Sequence, residues 1–578
     1  MTRSSPILVA GFVALLAQPL PAQELQWLVT IGGADSEKAW ATAVDEAGNV
    51  VAAGRFDGAV DFDPGPGTLP FVAQGPYDGF VLKLDGEGQL EWAGQFGGPE
   101  REFPTAVGVA PDGSVYVAGV FQGTADFDPG PGTTNLTATG LFDPFVVKLG
   151  ATGNLVWAHV FNGTGQLSVK GVAVDTDGNV ILTGKMSGTT DFDPGSGTFE
   201  LSGIAAFFVK LDSDGDLVWA VNLLGTSVQS FVLDGDGNLH ATGNFSAGDD
   251  FDPGPGVVTL PAGCVETFVL KLDGNASFVW VKGTRGPSCA GKPLMNSESV
   301  AVDSAGNVIA TGSFTDTSDF DPGSGTHSVS VITETTFVWK LDASGEFVWV
   351  RTPDALGPDS FQYPSALMLD GCDGILVAGR FAGQVDFDPG PGVHLLSAGS
   401  GAKPFFWELT SEGDMDMAVA FEDFGETAFD ELARGPGGRF AIAGGFIGPT
   451  DFDLGSGTTE ATPNGSLDVF VVQYARALML KMSGDSLQWT GSSCPKGYDV
   501  ILGNLGVLLA SGGDFEQAVD ACLVDDGIAP NASFAVDPES GEGFWFLVRE
   551  FGESYDSAGT GQIQSRDGPI AASGIACP

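Results

Sequence analysis

Along most of the chain, short apolar runs alternate with clusters of Gly, Asn and Asp. "AVDEAGNVVAAGRF" (Ala43–Phe56) is one such unit, and "FVLKLDGEGQLEWAGQF" (Phe80–Phe96) is another. β-Branched and aromatic residues dominate the runs, and the clusters between them carry turn chemistry. The pattern therefore predicts strands joined by tight hairpins. In "EAGN" and "GEGQ" the glycine supplies the positive φ that such a turn needs. The first unit returns as "AVDTDGNVILTGKM" and "AVDSAGNVIATGSF", and the second as "FVVKLGATGNLVWAHVF" and "FFVKLDSDGDLVWAVNL". Between the two units lies an octapeptide close to "DFDPGPGT", which begins at Asp61, Asp126, Asp191, Asp250, Asp319, Asp386 and Asp451. The period is about 65 residues.

Four short strands per period, repeated radially, are the pattern of a β-propeller. The fourth strand carries Trp92, Trp157, Trp219, Trp280 and Trp349, with Met417 in the sixth copy. The seventh copy reaches "VFVVQY" (Val469–Tyr474) and stops short of a fourth strand. Near the N-terminus, "ELQWLVTIGG" is similar to "QLEWAGQFGG", with Trp27 standing for Trp92. The expectation is an all-β fold: a seven-bladed propeller over residues 23–475, closed by the N-terminal strand so that no sheet edge stays free.

These units resemble a bacterial β-propeller repeat family whose repeats read "AVDxxGNVYVTG" and then "FVxKLDxxGxLxW". The resemblance begins at residue 25 and ends near residue 475. It implies a fold and a secreted or surface setting more than an activity. Beyond Ala475 the frame is lost. There, "LQWTGSSCPKGYDVILGNLGVLL" and "GEGFWFLVREFGESYDSAGTG" resemble the strand regions of a fibronectin type III-like domain. The resemblance implies a small β-sandwich over residues 476–578, with Trp489 in its core and Tyr498 and Phe546 on its strands.

Residues 1–22 read as a signal peptide: Arg3, an apolar stretch from Ile7 to Ala17, and Ala22 before the cleavage point at Gln23. No run is long enough for a membrane span. The protein is thus expected to be secreted or held at the cell surface, in an oxidising compartment. Cys264 with Cys289 and Cys522 with Cys577 are candidate disulfides, and Cys372, in a turn on the opposite face, is expected to be unpaired.

Lys and Arg number 24 against 74 Asp and Glu, a formal net charge of −50. That surface repels nucleic acid and anionic lipid, which argues against both as partners. It suits cations, or solubility alone. Apolar residues at 43% and 42 Phe exclude disorder.

The octapeptide is the candidate site. Alternation within "VDFD" puts Phe62 on one side and Asp61 and Asp63 on the other. Two carboxylates so close call for compensation, and calcium is one way to supply it. The candidate calcium ligands are Asp61 and Asp63, Asp126 and Asp128, Asp191 and Asp193, Asp250 and Asp252, Asp319 and Asp321, Asp386 and Asp388, and Asp451 and Asp453. The competing reading is turn chemistry, with Asp63 capping the "DPGP" turn and no ion present. That reading leaves Asp61 without a role.

Signals of catalysis are missing. His159, His240, His327 and His394 fall at unrelated repeat positions, which gives no zinc set and no paired general base. "DSDGD" and "DGDGN" lack the glutamate that closes an EF-hand loop and sit at hairpin turns. The expected function is an exported, non-enzymatic scaffold whose acidic rim recognises an extracellular protein or glycan. The alternative is a secreted carbohydrate-active or other hydrolytic enzyme working in the propeller funnel. A funnel with paired carboxylates and aromatic platforms would favour the enzyme, and a smooth, solvated one would favour binding.

Overall fold

The computed structural model describes residues 23–476 apart from 262–264, 287–294, 422–427 and 455–456, and six strands beyond them. No helix occurs among the described residues. Seven antiparallel sheets of at least four strands form the blades. The first blade runs through Lys38–Val44, Val50–Phe56, Asp78–Leu84 and Leu90–Phe96 in that order. Each blade's first strand packs against the first strand of the next, and the seventh packs back onto the first. The first strands are therefore innermost, around a central channel. The propeller forms one compact unit, Leu25–Phe452 with Thr459–Ala475.

Ring closure follows the expected route. The seventh sheet holds Ala428–Arg434, Arg439–Phe446 and Asp468–Arg476, and its fourth strand is Gln23–Ile31 from the N-terminus. Val29 and Ile31 are buried in one cluster with Ala441, Val469 and Val471 of the seventh blade and Phe56 and Phe80 of the first.

The tryptophans of the fourth strands join neighbouring blades. Trp27 Nε1 donates to the Gly86 carbonyl at 3.0 Å, Trp92 to Ala151 at 3.0 Å and Trp157 to Ser213 at 3.2 Å. Each acceptor lies in the hairpin between the third and fourth strands of the next blade. Gly153 in that hairpin has φ +80°, and a Cβ there would meet the Trp92 ring at 2.7 Å, so both backbone and neighbour demand glycine. Replacing Trp92 by Phe keeps the ring but removes the bond. We expect a loss of about 1 kcal/mol in urea unfolding, and an unchanged midpoint would remove this joint from the account.

The frame's lysine and first-hairpin aspartate form ion pairs: Lys83 with Asp45 at 2.9 Å, Lys210 with Asp175 at 2.9 Å and Lys340 with Asp303 at 2.9 Å. Lys83 is buried on the third strand, and a buried ammonium needs such a partner. Hydrogen bonds from Lys83 and from Asn49 hold the Asp45 carboxyl below its ordinary range, against the upward push of burial.

Beyond the propeller, the described strands form two three-stranded antiparallel sheets. Trp489, Tyr498 and Phe546 fall on strands Ser486–Thr490, Tyr498–Asn504 and Phe544–Glu550. The signal-peptide residues 1–22, Cys264, Cys289, Cys577 and the side chain of Cys522 lie outside the described residues. Cys372 is disulfide-bonded, which corrects the expectation of a free thiol. Its turn leaves the side chain part-exposed, open to approach by a second cysteine.

Candidate functional site

Each octapeptide links the second and third strands of its blade, and the structure gives both aspartates a role. Asp61 Oδ1 accepts the Asp63 N–H at 3.1 Å and the Leu69 N–H at 2.7 Å. Asp63 Oδ1 accepts the Gly65 N–H at 2.8 Å. The same three bonds recur for Asp126 and Asp128, Asp191 and Asp193 and Asp250 and Asp252. They recur again for Asp319 and Asp321 and for Asp386 and Asp388. In the seventh copy Asp451 Oδ1 takes the Thr459 N–H at 2.8 Å, and Asp453 packs against Gly457.

The first aspartate thus closes the base of the loop across eight residues, and the second caps the turn at its tip. The octapeptide's second glycine is fixed by this arrangement, because a Cβ at Gly67 would lie 2.0 Å from Asp63 Oδ2. The phenylalanine between the aspartates is fully buried in all seven copies, from Phe62 to Phe452. Phe127 sits 5.0 Å from Phe121 at the end of the second strand and 4.6 Å from Phe145 on the third, centroid to centroid. It also packs on Phe96 of the preceding blade at 5.6 Å.

The loops also join blades through their backbone. Asp126 exchanges two hydrogen bonds with Gly97, which follows the fourth strand of the first blade, at 2.9 and 3.1 Å; Asp319 does the same with Arg285. The octapeptides therefore share one face of the ring with the blade-to-blade connections. Replacing Asp126 by Ala should cost about 1–2 kcal/mol, by freeing two N–H groups of a part-buried loop. Asn, which keeps a side-chain acceptor, should cost much less. Hydrogen exchange at Asp128 and Thr134 reads this out, and equal protection in both variants would contradict the clamp.

On the same face, the residue directly before the third strand is Tyr77, Phe142, Ile204 and Val265 in the first four blades. Together with the loop residues Val257, Ile332 and Val393 they bring apolar side chains to the surface: Ile204 is 67% exposed, Val257 76%, Ile332 75% and Val393 77%. In the first two blades an aromatic strip runs inward. Phe142 stacks on Phe103 at 5.9 Å, and Phe103 meets Tyr77 at 6.1 Å and Trp40 at 5.7 Å. The Arg55 guanidinium lies 3.9 Å from the centre of the Tyr77 ring, a cation–π contact.

The channel carries a second set of residues. Every innermost strand has a bulge at the same step, which leaves one unpaired residue per blade: Trp40, Thr105, Lys170, Gln229, Glu298, Ser365 and Asp430. Bulges re-aim side chains, and here six different ones, from Trp40 to Ser365, share one step of the innermost strands. Lys170 is exposed there, and its charge acts on Glu298 two blades away. Burial pushes Glu298 up to about 7, with Glu334 adding to the rise and Lys170 opposing it. Glu334 accepts a bond from Ser313 Oγ at 2.8 Å. The sequence reading missed this ring. Its only trace is a frame position where the repeats disagree while both neighbours are apolar or small in six of the seven copies.

Among the described residues no group of three or more His, Cys, Asp or Glu is placed to hold a metal ion. "DSDGD" and "DGDGN" form hairpin turns, in which Asp212 and Asp234 cap backbone N–H groups two and four residues on. His240 is buried and pairs with Asp234 at 3.0 Å.

No protein-family model matches the chain. An uncharacterized WD repeat-containing protein of Acanthamoeba polyphaga mimivirus is 30% identical over 172 residues, 25% of this chain and 12% of that protein. Among solved structures, the Dos1 propeller is similar with a TM-score of 0.38 at 9% identity, over 78% of this chain and 96% of that one. A polysaccharide lyase acting on ulvan is similar with 0.37 at 10% identity, over 72% and 93%. The periplasmic gluconolactonase of Pseudomonas aeruginosa is similar with 0.36 at 13%, over 73% and 99%. Seven in-phase sheets in a closed ring, together with the WD-repeat relative, make this chain a β-propeller of the repeat type.

Proposed function

We propose that the protein is an exported, non-enzymatic binding scaffold, with the octapeptide face as its working surface and an extracellular protein or glycan as its ligand. The observation that carries this reading is the exposure of Ile204, Val257, Ile332 and Val393 on the loops of four successive blades. Large aliphatic groups left in water on consecutive loops are where a partner gains most from burial. The loops between them are clamped at base and tip, and a rigid rim loses little entropy on binding. A fibronectin-like C-terminal module would add a second extracellular unit.

The test compares wild type with an Ile204→Ser, Ile332→Ser variant for retention of extracellular proteins and arrayed glycans. Ligands lost together on altering this face support the reading; ligands kept by the variant place the working surface elsewhere. Calcium has a test of its own. Turn chemistry accounts for both aspartates in the first six pairs and for Asp451 in the seventh, so we expect the same unfolding midpoint in EDTA and in millimolar calcium. A rise with calcium would make the rim a cation site, since binding to the folded form alone must stabilise it.

A second reading has its own observation. Trp40 and Phe103 offer an aromatic platform, and Glu298 and Glu334 are neighbouring carboxylates with Glu298 poised near neutrality. That combination suits a carbohydrate-active site in the channel. Release of shorter products from arrayed glycans, abolished by Glu298→Gln, would establish it in place of the scaffold.

A further inference from the structure

We propose that the octapeptide face docks a basic protein segment carrying aliphatic or aromatic anchors. The inference rests on the scaffold reading and names the chemistry of its partner. Two features of the face coincide. The first is apolar: Ile204, Val257, Ile332 and Val393 project from successive blade loops and are more exposed than covered. The second is charge. Every one of those loops carries an aspartate pair, and the pairs sit on a chain with a formal net charge of −50.

The clamps do not neutralise the pairs. Each Oδ1 accepts backbone N–H groups, which carry no net charge. Arg55, Arg101, Lys185, Arg285 and Arg380 stand on the same face, with Arg285 donating to the Pro322 and Gly323 carbonyls at 2.8 and 2.9 Å, and they are outnumbered by the seven aspartate pairs. A neutral apolar partner would cover the aliphatic groups but leave the carboxylates under it without counter-charge. An acidic partner, or an acidic glycan, would be repelled. A segment that mixes Lys or Arg with Leu, Ile or Phe meets both demands, with the anchors at the aliphatic groups and the charges over the loops.

The groove between the fifth and sixth blades gives the anchors a place. It offers about 230 Å³, with Val331, Ile332, Pro353, Ala355 and Leu356 on its apolar side and Ser330, Thr335 and Asp354 on its polar side. That space suits one or two aliphatic side chains beside a carboxylate.

The probes are two synthetic amphipathic peptides of equal length, one of Lys and Leu and one of Glu and Leu, followed by fluorescence anisotropy against the full chain. The Lys/Leu peptide should bind and weaken at least tenfold between 20 and 200 mM salt, roughly as steering between exposed charges predicts. It should also weaken about tenfold in the Ile204→Ser, Ile332→Ser variant, whose charge is unchanged, the loss expected for one or two anchors. The Glu/Leu peptide should not bind.

A polycation can cling to so acidic a protein anywhere, and a second variant addresses this. Asp214→Asn with Asp236→Asn removes two charges from hairpins on the opposite face and should leave binding intact. Lys/Leu binding that ignores the isoleucine changes, or that falls with the opposite-face changes, overturns the proposal. So does equal binding of the Glu/Leu peptide. If glycans or other extracellular proteins still depend on Ile204 and Ile332 in that case, the scaffold reading stands and only its partner class has failed.

Discussion

A protein that begins at Gly32 should lose about 5 kcal/mol or more of stability and unfold without a single sharp transition. The loss has three parts. Val29 and Ile31 are buried between the first and seventh blades, and each such side chain contributes about 1.5–3 kcal/mol on burial. Trp27 gives up its bond to Gly86 in the first blade, worth about 1 kcal/mol. The strand Asp468–Arg476 then becomes an open edge, with Val469 and Val471 no longer covered. An apolar edge of that kind invites association, so the truncated protein should also aggregate. A synthetic peptide of residues 23–31, added in excess, should restore the sharp transition, because it supplies the missing strand. If the truncated and full-length proteins unfold at the same denaturant concentration, the N-terminal strand does not close the ring.

This closure could be read in the sequence because it rests on strand count and on one aromatic. Seven copies supply six fourth strands, and "ELQWLVTIGG" carries Trp27 at the step where the others carry tryptophan. The register bears out the substitution in the sixth copy as well, where Met417 stands opposite Glu408 as Trp92 stands opposite Lys83. The octapeptide was half legible. Its Pro and Gly announce a turn, and its Phe announces burial, but a bond from Asp61 to Leu69 spans eight residues of loop. Turn rules reach two or three residues, so they leave the first aspartate without a role. The channel ring was illegible for a different reason. A bulge adds one residue to a strand without altering its apolar pattern, so Lys170 and Glu298 read as ordinary strand positions until the pairing is known. The disulfide of Cys372 is not legible in the repeats, because it depends on approach in space, which repeat position alone does not supply.

Replacing Glu102 by Gln should remove most of the fall in stability that we expect above neutral pH. Glu102 opens the second blade, has no exposed surface, and neither carboxylate oxygen has a hydrogen-bond partner; the Gly98 amide faces it without reaching bonding geometry. Burial, together with the charge of Asp78 and more weakly that of Glu100, pushes it from 4.5 up to about 8. Asp78 opens the third strand of the neighbouring blade and is itself buried and raised. The folded form therefore binds this proton more tightly than the unfolded one. Between about pH 4.5 and 8 the unfolded chain holds fewer protons, so stability falls as pH rises through that window and levels off above it. At about 1.4 kcal/mol per unit, the full span is roughly 4–5 kcal/mol. Glu37 repeats the arrangement at the closing seam. It is raised to about 7, chiefly by burial and also by Asp468, Asp57 and Asp35, and it adds to the slope. The hairpin aspartates Asp45, Asp175 and Asp303 act in the opposite sense. Their carboxyls are lowered, so their contribution is present above the ordinary carboxylate range and is lost as pH falls below it. Stability should peak between these limits, on the acid side of neutral. Urea unfolding at pH 5 and pH 9 separates the cases. Wild type should be several kcal/mol weaker at pH 9, while Glu102→Gln should gain there and change little at pH 5. A variant that tracks wild type at both values would mean that Glu102 is ionised at no cost, and that the seam between the first two blades is open to water.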